Sequence, residues 1–366
     1  MLLLAALSLA VWVYLLLGHG RFWQAGPVLV PAVPNHAPAV TVIVPARDEA
    51  ASVGRALRSL LAQTYLGHLH IILVDDQSRD GTAEVARALR DSRLSILEGR
   101  ERPPGWSGKL WALAQGVEAA GSEFLMFTDA DIEHHPEHIA TLVAQLQKGG
   151  FDLVSEMVAL NCESLAERAL VPAFVFFFAL LYPFERVNDP ESPTAAAAGG
   201  TMLLRAAALE RVGGLAAMRG ALIDDVTLAG RIKQGGKIWL GHSGLAASIR
   251  PYPGAADVWR MVARTAYTQL EYSPLVLAGT VVGMVLVWLL PPIAALLCRG
   301  PAQLAGLLAW ACMTGAYLPT LGRFKLRPAW ALVLPATAAF YTAATIGSAI
   351  DHITGRGVMW KRRSYT

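Results

Sequence analysis

Two carboxylates directly follow an apolar run near the middle of the chain. Asp129 and Asp131 come after residues 124–127 and are separated by one residue. Residues i and i+2 of a strand project to the same face, so the two carboxylates would point into one space. Two like charges this close repel each other unless they share a proton or a cation lies between them. The pair therefore indicates a shared-proton site, a divalent metal site or a solvated loop, since Asp is also a common turn residue.

Carboxylates also follow two earlier strand-like runs, which end at Pro45 and Val74: Asp48, Glu49, Asp75 and Asp76. Apolar residues at helical spacing separate these runs from each other and from the run before Asp129. Strands that alternate with helices predict an α/β domain with a mostly parallel, doubly wound sheet. In such sheets ligands bind beyond the carboxyl ends of the strands. All three groups of carboxylates are predicted to lie at that edge.

Other patterns exclude several common ligand sites. No G-x-G-x-x-G follows the first strand, and residues 105–109 lack the spacing of a Walker phosphate loop. His134 and His138 have a metal-binding spacing on a helix, but Pro136 between them indicates a turn and a helix start. The three cysteines show no paired spacing, which argues against a disulfide or zinc framework and fits a reducing compartment. The carboxylates are better suited to a base, a ribose and a Mg²⁺ ion on a diphosphate.

The composition is biased toward membrane proteins. Hydrophobic residues make up 54% of the chain and charged residues 16%, against a usual charged share of about 25%. Residues 2–17 are apolar, and the absence of a positive start and of a clear cleavage site favours a retained anchor over a signal peptide. Residues 275–298, 302–321 and 329–350 each approach the ~20 residues that cross a bilayer.

These patterns divide the chain into a transmembrane anchor at 1–20, a linker at 21–39, an α/β domain at 40–272, a transmembrane region at 273–350 and a basic tail at 351–366. Within the domain, the aromatic stretch at 164–186 has charged flanks. It predicts a helix at the membrane interface, with core packing as the alternative.

Basic residues cluster at 323–327 and at 356–363, on either side of the last apolar segment. The positive-inside rule places both clusters on the cytoplasmic side, which a full span between them contradicts. Either the tail lies outside, or one segment is re-entrant, with Pro291-Pro292 as a candidate break. The net charge of +3 is too small to indicate nucleic acid, and the clusters are suited to anionic membrane lipids.

Five stretches resemble, in their order and spacing, the motifs of family 2 glycosyltransferases: VIVPARDEA, VDDQSRDGT, GKLWALAQG, FTDADIEHHP and IDDVTLAGRIKQGG. The resemblance covers residues 40–272 and is strongest to the membrane-anchored members associated with hopanoid biosynthesis. It implies a GT-A fold, a nucleotide-sugar donor, a divalent cation (Mg²⁺ or Mn²⁺) and inversion at the anomeric carbon.

The resemblance also implies how the donor is bound. Asp48 and Asp76 match positions that contact the nucleoside, and Lys109 matches a lysine that approaches the diphosphate. Asp129 and Asp131 match the D-x-D motif of the metal site, with Asp131 preferred as the direct ligand. The implied donor-binding residues are Pro45, Asp48, Glu49, Asp75, Asp76, Lys109, Asp129 and Gly200.

The catalytic residues implied by the resemblance are Asp225, Asp224 and Arg264. Asp225 matches the carboxylate that acts as general base, and Asp224 replaces the Glu beside it. From the residues alone, the pair would equally cap a helix start, where acidic side chains are favoured. Arg264 matches the Arg of a Q-x-x-R-W motif whose Gln and Trp are missing here, as Met261 and Thr265 show. That departure weakens the inference of a processive synthase.

The sequence therefore predicts an inverting, metal-dependent enzyme that transfers a sugar from a nucleotide-sugar to a lipid or lipid-like acceptor, such as a hopanoid. The catalytic domain is expected to face the cytoplasm from an integral inner or plasma membrane protein, with no nucleic-acid partner. Two alternatives stay open: a processive polysaccharide synthase and a non-catalytic membrane protein that binds nucleotide-sugars. The intact carboxylates argue against the second alternative.

Overall fold

One eight-stranded mixed sheet forms the centre of the protein. The structure is a computed structural model that describes residues 1–355, 359–360 and 363–364. The strands of the sheet are β1 (Val40–Ala46), β2 (Leu69–Asp75), β3 (Leu94–Glu98), β4 (Phe124–Thr128), β5 (Ile132–His134), β6 (Leu153–Ala159), β7 (Thr201–Arg205) and β8 (Ile238–Ser248). The short strands β9 (Met359–Trp360) and β10 (Arg363–Ser364) pair with each other.

The strand order is β3-β2-β1-β4-β7-β6-β8-β5. Strands β3, β2, β1 and β4 are parallel neighbours, as are β6 and β8, whereas β7 and β5 run antiparallel to their partners. Every residue of β1 is buried, as a central parallel strand covered on both faces requires. The prediction of an α/β domain with a mostly parallel sheet is confirmed.

The helices of the described residues follow in chain order: α1 (Leu2–Gly18), α2 (Val53–Leu61), α3 (Thr82–Arg87), α4 (Gly108–Glu118), α5 (His138–Gly149), α6 (Leu165–Leu181), α7 (Phe184–Asn188), α8 (Ala206–Arg211), α9 (Asp224–Lys233), α10 (Ala255–Ala263), α11 (Ala266–Gln269), α12 (Pro274–Met284), α13 (Leu290–Leu297), α14 (Pro301–Arg323) and α15 (Leu334–Ile353). Short 3₁₀ turns lie at Phe22–Gln24, Leu215–Met218 and Pro328–Val333. A π-helical turn at Val285–Leu289 joins α12 to α13.

Apolar cores cover both faces of the sheet. Leu57 of α2 and Leu142 of α5 belong to one core. Leu113 of α4 and Leu228 of α9 belong to the other. Amphipathic helices on the two faces leave the carboxyl ends of the parallel strands uncovered, and the candidate site lies at that edge.

Three apolar helical segments are long and apolar enough to cross a membrane: Pro274–Leu297, Pro301–Arg323 and Pro328–Ile353. They match the three predicted segments near the carboxyl terminus. The amino-terminal apolar helix α1 is shorter, with 17 residues. Pro291 and Pro292 lie in the first turn of α13, directly after the π turn, so the helix continues through them. The basic tail predicted from residue 351 lies largely outside the described residues.

Helix α6 lies between the domain and the apolar helices. Its Val175 belongs to a core of the sheet domain. Its Phe176 is fully buried in a separate core with Trp12, Trp288 and Tyr317 of the apolar helices. The helix predicted at 164–186 is thus a helix with two buried faces, and it joins the sheet domain to the apolar helices.

Helix α15 follows the domain along most of its length. The Tyr341 hydroxyl donates to the carbonyl of Leu170 in α6 at 3.0 Å. Near its other end, Ser348 Oγ accepts from the amide of Tyr267 in α11 at 3.1 Å. His352 stacks on Tyr272 with ring centroids 4.4 Å apart. Helix α15 therefore contacts α6 from its first half and packs on α11 and Tyr272 with its last two turns.

Candidate active site

The predicted strand-end carboxylates do lie on one edge of the sheet. In the register of the parallel strands, Ala46 pairs with Asp75, and Ile43 pairs with Phe127. The residues that follow β1, β2 and β4 therefore leave the sheet side by side. This edge holds all three groups of acidic residues that the sequence placed there.

Three of these carboxylates fix the loops after β1 and β2. Asp48 Oδ1 accepts from the amide of Arg79 at 3.0 Å, and Asp75 Oδ1 accepts from the amide of Ser78 at 3.2 Å. Asp76 is almost fully buried and lies 3.5 Å from Arg47. Neither Asp48, Asp75 nor Asp76 lines the two cavities described below. Their contacts with a nucleoside stay predictions.

Lys109 forms an ion pair with the first carboxylate of the D-x-D motif. It lies in the first turn of α4, and its Nζ is 2.7 Å from Asp129 Oδ1. Burial alone would lower the pKa of Lys109, but Asp129, Asp224 and Asp225 outweigh burial and raise that pKa. Lys109 is therefore a fixed positive charge that three carboxylates surround, suited to balance an incoming phosphate.

Arg250 holds the second carboxylate of the motif and joins it to Glu49. Its Nε contacts Asp131 Oδ2, and its Nη2 lies 2.7 Å from Glu49 Oε1. Asp131 is only 8% exposed. Burial, and then the neighbouring Asp129, raise the pKa of Asp131, while Arg250 opposes that rise. The positive charge of Arg250 therefore does not fully compensate for the burial of Asp131 and the nearby charge of Asp129.

Sequence reasoning missed Arg250 because no motif surrounds it. The pairing of β5 with β8 brings it to the site, with Ile132 opposite Ser248. The amide of Ile249 donates to the carbonyl of Asp131 at 2.8 Å, so residue 250 follows directly beside that carboxylate. Only a knowledge of that long-range pairing would have found it.

The acidic residues fit a divalent cation that a substrate helps to hold. Among the described residues, no group of three or more His, Cys, Asp or Glu side chains is arranged to bind a metal. Mg²⁺ is commonly bound by one or two carboxylates together with substrate phosphates. Asp129 and Asp131 supply that number, and the raised pKa of Asp131 marks a position that additional positive charge would stabilise. The donor set does not fit a metal held by the protein alone.

Asp225 lies in the first turn of α9 and binds the backbone before β7. Its Oδ2 accepts from the amide of Gly199 at 2.7 Å, and its Oδ1 accepts from the amide of Val226 at 2.8 Å. Burial, followed by the charge of Asp224, raises the pKa of Asp225 to about 6. A carboxylate with a pKa near neutrality is suited to accept a proton in a reaction.

Two cavities meet at the Lys109–Asp129 pair. The polar cavity, of about 500 Å³, includes Glu49, Asp131, Arg250, Tyr252 and Arg260 in its lining. The apolar cavity, of about 490 Å³, includes Asp225 and aromatic residues of α6 and α15, among them Phe177, Phe178 and Tyr341. Lys109, Asp129 and Arg264 line both cavities. Asp131 and Asp225 therefore lie on opposite sides of the junction.

The matching family model covers residues 41–213 and is described as glycosyl transferase family 2. Residues 41–213 of this chain are therefore similar to a family 2 glycosyltransferase domain. Two curated relatives are named 4,4'-diaponeurosporenoate glycosyltransferase, from Staphylococcus haemolyticus and Staphylococcus aureus. They are 33% identical over 106 and 117 residues, which are 29% and 32% of this chain and 28% and 30% of theirs. The chain thus matches less than a third of the length of these relatives.

Among solved structures, the protein is similar to mannosyltransferase PcManGT from Pyrobaculum calidifontis, determined in complex with GDP-Man and Mn²⁺. The TM-score is 0.60 and the identity 22%, and the match covers 96% of this chain and 99% of that chain. A likeness at this identity establishes the fold. The prediction of a GT-A fold with apolar helices at its carboxyl-terminal side is confirmed.

The family 2 match ends at residue 213, before three residues that line the cavities. Asp225, Arg250 and Arg264 lie beyond it, so the match assigns them no role, and only their geometry supports one. Gly199 and Gly200 precede β7 within the matched part, and the carbonyl of Gly200 accepts from the amide of Asp129 at 3.3 Å. The backbone before β7 therefore connects the D-x-D motif to Asp225.

Gly199 provides a direct test of this connection. A Cβ at position 199 would lie 2.9 Å from Asp225 Oδ2 and 3.4 Å from Lys109 Nζ. We expect Gly199→Ala to move the Asp225 carboxylate and to lower turnover by roughly tenfold or more, because small displacements of reacting groups are costly. Gly230→Ala, on the same helix as Asp225 and with open space around it, is the matched control. Equal turnover in both variants and wild type would show that the position of Asp225 does not limit the reaction.

Proposed function

We propose that this protein is a membrane-bound glycosyltransferase that moves a sugar from a nucleotide-diphosphate sugar to a lipid acceptor, with a divalent cation and with inversion. The observation that carries the proposal is the junction of one polar and one apolar cavity at Lys109 and Asp129. A charged donor and an apolar acceptor would reach the same point from different sides.

The polar cavity has the chemistry of a donor diphosphate site. Arg250, Arg260 and Lys109 line it and would balance phosphate charges, the arginines through their planar forks and the lysine as a point charge. Asp129 and Asp131 would hold the divalent cation, which stabilises the growing charge of the leaving diphosphate. The structural neighbour was solved with GDP-Man and Mn²⁺. For this chain the donor and the cation are proposed from the charges of the site.

The apolar cavity has the chemistry of a lipid acceptor site. Its lining combines Phe177 and Phe178 of α6 with Thr280 and Met284 of α12 and Tyr341 of α15. No residue of α12 is fully buried, so the helix that borders the cavity is open to surrounding lipid. The curated relatives are named for a carotenoid acid, diaponeurosporenoate, which is itself lipid-like. The acceptor class proposed here is a lipid with a nucleophilic oxygen at its polar end, and a hopanoid is one candidate.

Asp225 would activate that oxygen. It lines the apolar cavity, whereas Asp131 and Arg250 line only the polar one. The acceptor oxygen would attack the anomeric carbon from the apolar side as Asp225 takes its proton, and the bond to the diphosphate would break on the polar side. Attack and departure on opposite faces of the sugar invert the anomeric carbon. Lys109, at the junction, would stay near the diphosphate oxygens while Asp225 takes the proton of an acceptor hydroxyl.

We further propose that the catalytic domain faces the cytoplasm and that α15 does not cross the membrane. Arg323, at the end of α14, donates to the carbonyl of Ala25, so the basic segment 323–327 lies on the domain side. The positive-inside rule then assigns that side to the cytoplasm. Because the last turns of α15 pack on α11 and Tyr272 of the domain, we propose that the end of α15 lies on the same side as segment 323–327. That placement removes the conflict between the two basic clusters.

Cysteine labelling tests this orientation. In a variant without Cys162, Cys298 and Cys312, single cysteines at exposed positions report the side of the membrane. We expect Arg299→Cys to react with a membrane-impermeant maleimide in intact cells. The 298–300 loop lies at the end of the apolar helices where Ala5, Ala294 and Ala305 pack together. Helix α14 separates that end from the basic segment 323–327, which is proposed to face the cytoplasm. Ser92→Cys in the domain and Thr354→Cys after α15 should react only after lysis.

The pattern of reactions separates the proposals. Labelling of Thr354→Cys in intact cells would mean that α15 crosses the membrane. Labelling of Ser92→Cys in intact cells would place the catalytic domain outside and overturn the orientation as a whole.

The proposed reaction is tested with purified protein, a panel of nucleotide-sugars and a membrane lipid extract. Mass spectrometry of the lipids should show one lipid class that gains the mass of a sugar, with one preferred donor. Lipids that end in a hydroxyl, a carboxylate or a phosphate should be included, because the junction does not select among these oxygens. Binding of nucleotide-sugars without any sugar transfer, to lipid or to a growing polysaccharide, would favour the non-catalytic alternative.

A further inference from the structure

A chain of buried polar side chains runs through the domain behind the junction. Its members are Glu156 on β6, His138 at the start of α5, His134 on β5 and Thr128 at the end of β4. Each is at most 3% exposed. None of the four has a role in the proposed reaction, and buried polar groups of this kind are costly unless they are paired.

The members contact one another in sequence. Glu156 Oε1 lies 2.6 Å from His138 Nε2, and the Nδ1 atoms of His138 and His134 are 2.9 Å apart. His134 Nε2 is 3.2 Å from Thr128 Oγ1. Thr128 Oγ1 in turn lies 2.9 Å from the carbonyl oxygen of Gly200. The chain therefore ends on the backbone that connects Asp129 to Asp225.

The two histidines form a hydrogen bond with each other and do not form a metal site. Zinc bonds of about 2.0 Å in a tetrahedral site would hold two nitrogens further apart than 2.9 Å. Burial, followed by the neighbouring His138, lowers the pKa of His134 well below its ordinary value, so that the His134 ring is neutral. A neutral ring has one donor and one acceptor nitrogen.

The Gly200 carbonyl fixes the direction of the hydrogen bonds, because a carbonyl oxygen can only accept. When the Thr128 hydroxyl donates to Gly200, His134 Nε2 donates to Thr128 Oγ1, and the neutral His134 ring accepts at Nδ1 from His138 Nδ1. Within the described residues, neither carboxylate oxygen of Glu156 nor His138 Nε2 has a hydrogen bond. The 2.6 Å contact between Glu156 and His138 is therefore close without the alignment of a hydrogen bond.

Thr128, the last of these polar side chains, binds the backbone of the candidate site through the Gly200 carbonyl. The Gly200 carbonyl also accepts from the amide of Asp129, and the Gly199 amide donates to Asp225. A change in the position of this dipeptide would displace Asp129 at the junction and Asp225 on its apolar side. The hydroxyl of Thr201 donates to the same carbonyl at 2.7 Å, so the Gly200 carbonyl accepts from three donors: the Asp129 amide, Thr128 and Thr201.

We propose that Glu156, His138, His134 and Thr128 are positioning residues, which fix the Gly199–Gly200 backbone and so set the geometry of Asp225 and Asp129. This inference rests on the proposed function. The four residues line neither the donor nor the acceptor cavity. They act through the close contact of Glu156 with His138 and through the hydrogen bonds from His138 to Gly200.

Substitutions of Glu156 and Thr128, the first and last members of this series of polar side chains, test the proposal. Thr128→Val keeps the shape of the side chain and removes the hydroxyl, whereas Thr128→Ser keeps the hydroxyl. We expect Thr128→Val and Glu156→Gln each to lower turnover by roughly tenfold or more, with donor affinity unchanged and with Thr128→Ser close to wild type. If both ends act through one chain, the double variant should lose little more than either single variant, because the effects are not independent.

The outcomes distinguish a positioning role from packing. Near-wild-type turnover of Thr128→Val, or multiplied losses in the double variant, would overturn the proposal. If Glu156→Gln fails to fold, the comparison of Val with Ser at position 128 still decides. As a readout independent of activity, Glu156→Gln should shift the ¹⁵N signals of both His134 and His138. A wild-type protein without transfer activity would refute the proposed function, and the histidine signals would still test the chain.

Discussion

Asp225→Asn should abolish most turnover while donor binding persists. The amide keeps the shape of the side chain and removes its ability to accept a proton, and the loss of a general base typically costs about 10²–10⁴-fold in rate. Because both oxygens of Asp225 accept from backbone amides, the NH2 group of Asn also gives up the bond to either Gly199 or Val226, and thermal unfolding is measured beside turnover to check the fold. The donor site should survive because Asp225 lines the apolar cavity and not the polar one. Turnover is measured by nucleotide release and donor affinity by calorimetry, for both proteins in one detergent.

The same substitution tests the role of Asp225 in helix capping. Asn and Asp cap helices comparably, and Asp225 Oδ1 does accept from an amide of its own helix. Turnover near that of wild type would therefore assign Asp225 to the helix start and leave the reaction without an identified base. An equal loss of donor affinity and turnover would instead mean that the site as a whole has been disturbed.

The pH dependence adds a second signature of the base. Burial and Asp224 raise the pKa of Asp225 to about 6, so the carboxylate is protonated below that pH and cannot act as a base. Turnover should fall as the pH is lowered through about 6. Asp224→Asn removes a charge that raises this pKa and should move the acid limb to lower pH. An unchanged limb in Asp224→Asn would mean that another group controls the profile.

Asp131→Ala should abolish transfer and weaken Mn²⁺ binding in the presence of a nucleoside diphosphate. Asp131 is one of the two carboxylates proposed to share the cation with the donor phosphates, and the loss of one such electrostatic contribution costs on the order of 10²–10³-fold or more. Mn²⁺ binding is followed by electron paramagnetic resonance, and thermal unfolding shows whether the fold persists.

Asp131→Asn is the companion variant, because its amide oxygen can still accept from Arg250. It should fold like wild type and still lose the cation. Full transfer activity in excess chelator would contradict the metal proposal, whatever the behaviour of the variants. Activity that chelator removes but Asp131→Asn retains would assign the cation to Asp129 and the donor alone.

Local patterns in the sequence were sufficient for the parallel half of the sheet and its acidic edge. β1, β2 and β4 are nearly continuous apolar runs, and the rule that ligands bind at the carboxyl ends of such strands located Asp129 and Asp131 without any structure. The antiparallel insertion of β7 was not predicted, because a strand of five residues carries no signal of its direction.

Long-range contacts explain what the sequence did not reveal. Arg250 reaches Asp131 through the pairing of β5 with β8, which are separated by more than a hundred residues. The apolar cavity is built from α6, α12 and α15, whose hydropathy predicts membrane contact but not a shared space. The spacing of His134 and His138 around Pro136 indicates a turn and a helix start, but it does not reveal their partner Glu156, which lies on β6.

The position of the apolar cavity beside α12 and α15 has a consequence for enzyme kinetics. An acceptor that enters from the bilayer is never dissolved in the water that carries the donor. Its effective concentration is its mole fraction among the surrounding lipids or detergent molecules, so added detergent dilutes it even when its total amount is constant. An apparent KM for the acceptor therefore belongs to a two-dimensional solution, while that for the donor belongs to the aqueous phase, and one reaction obeys two concentration scales.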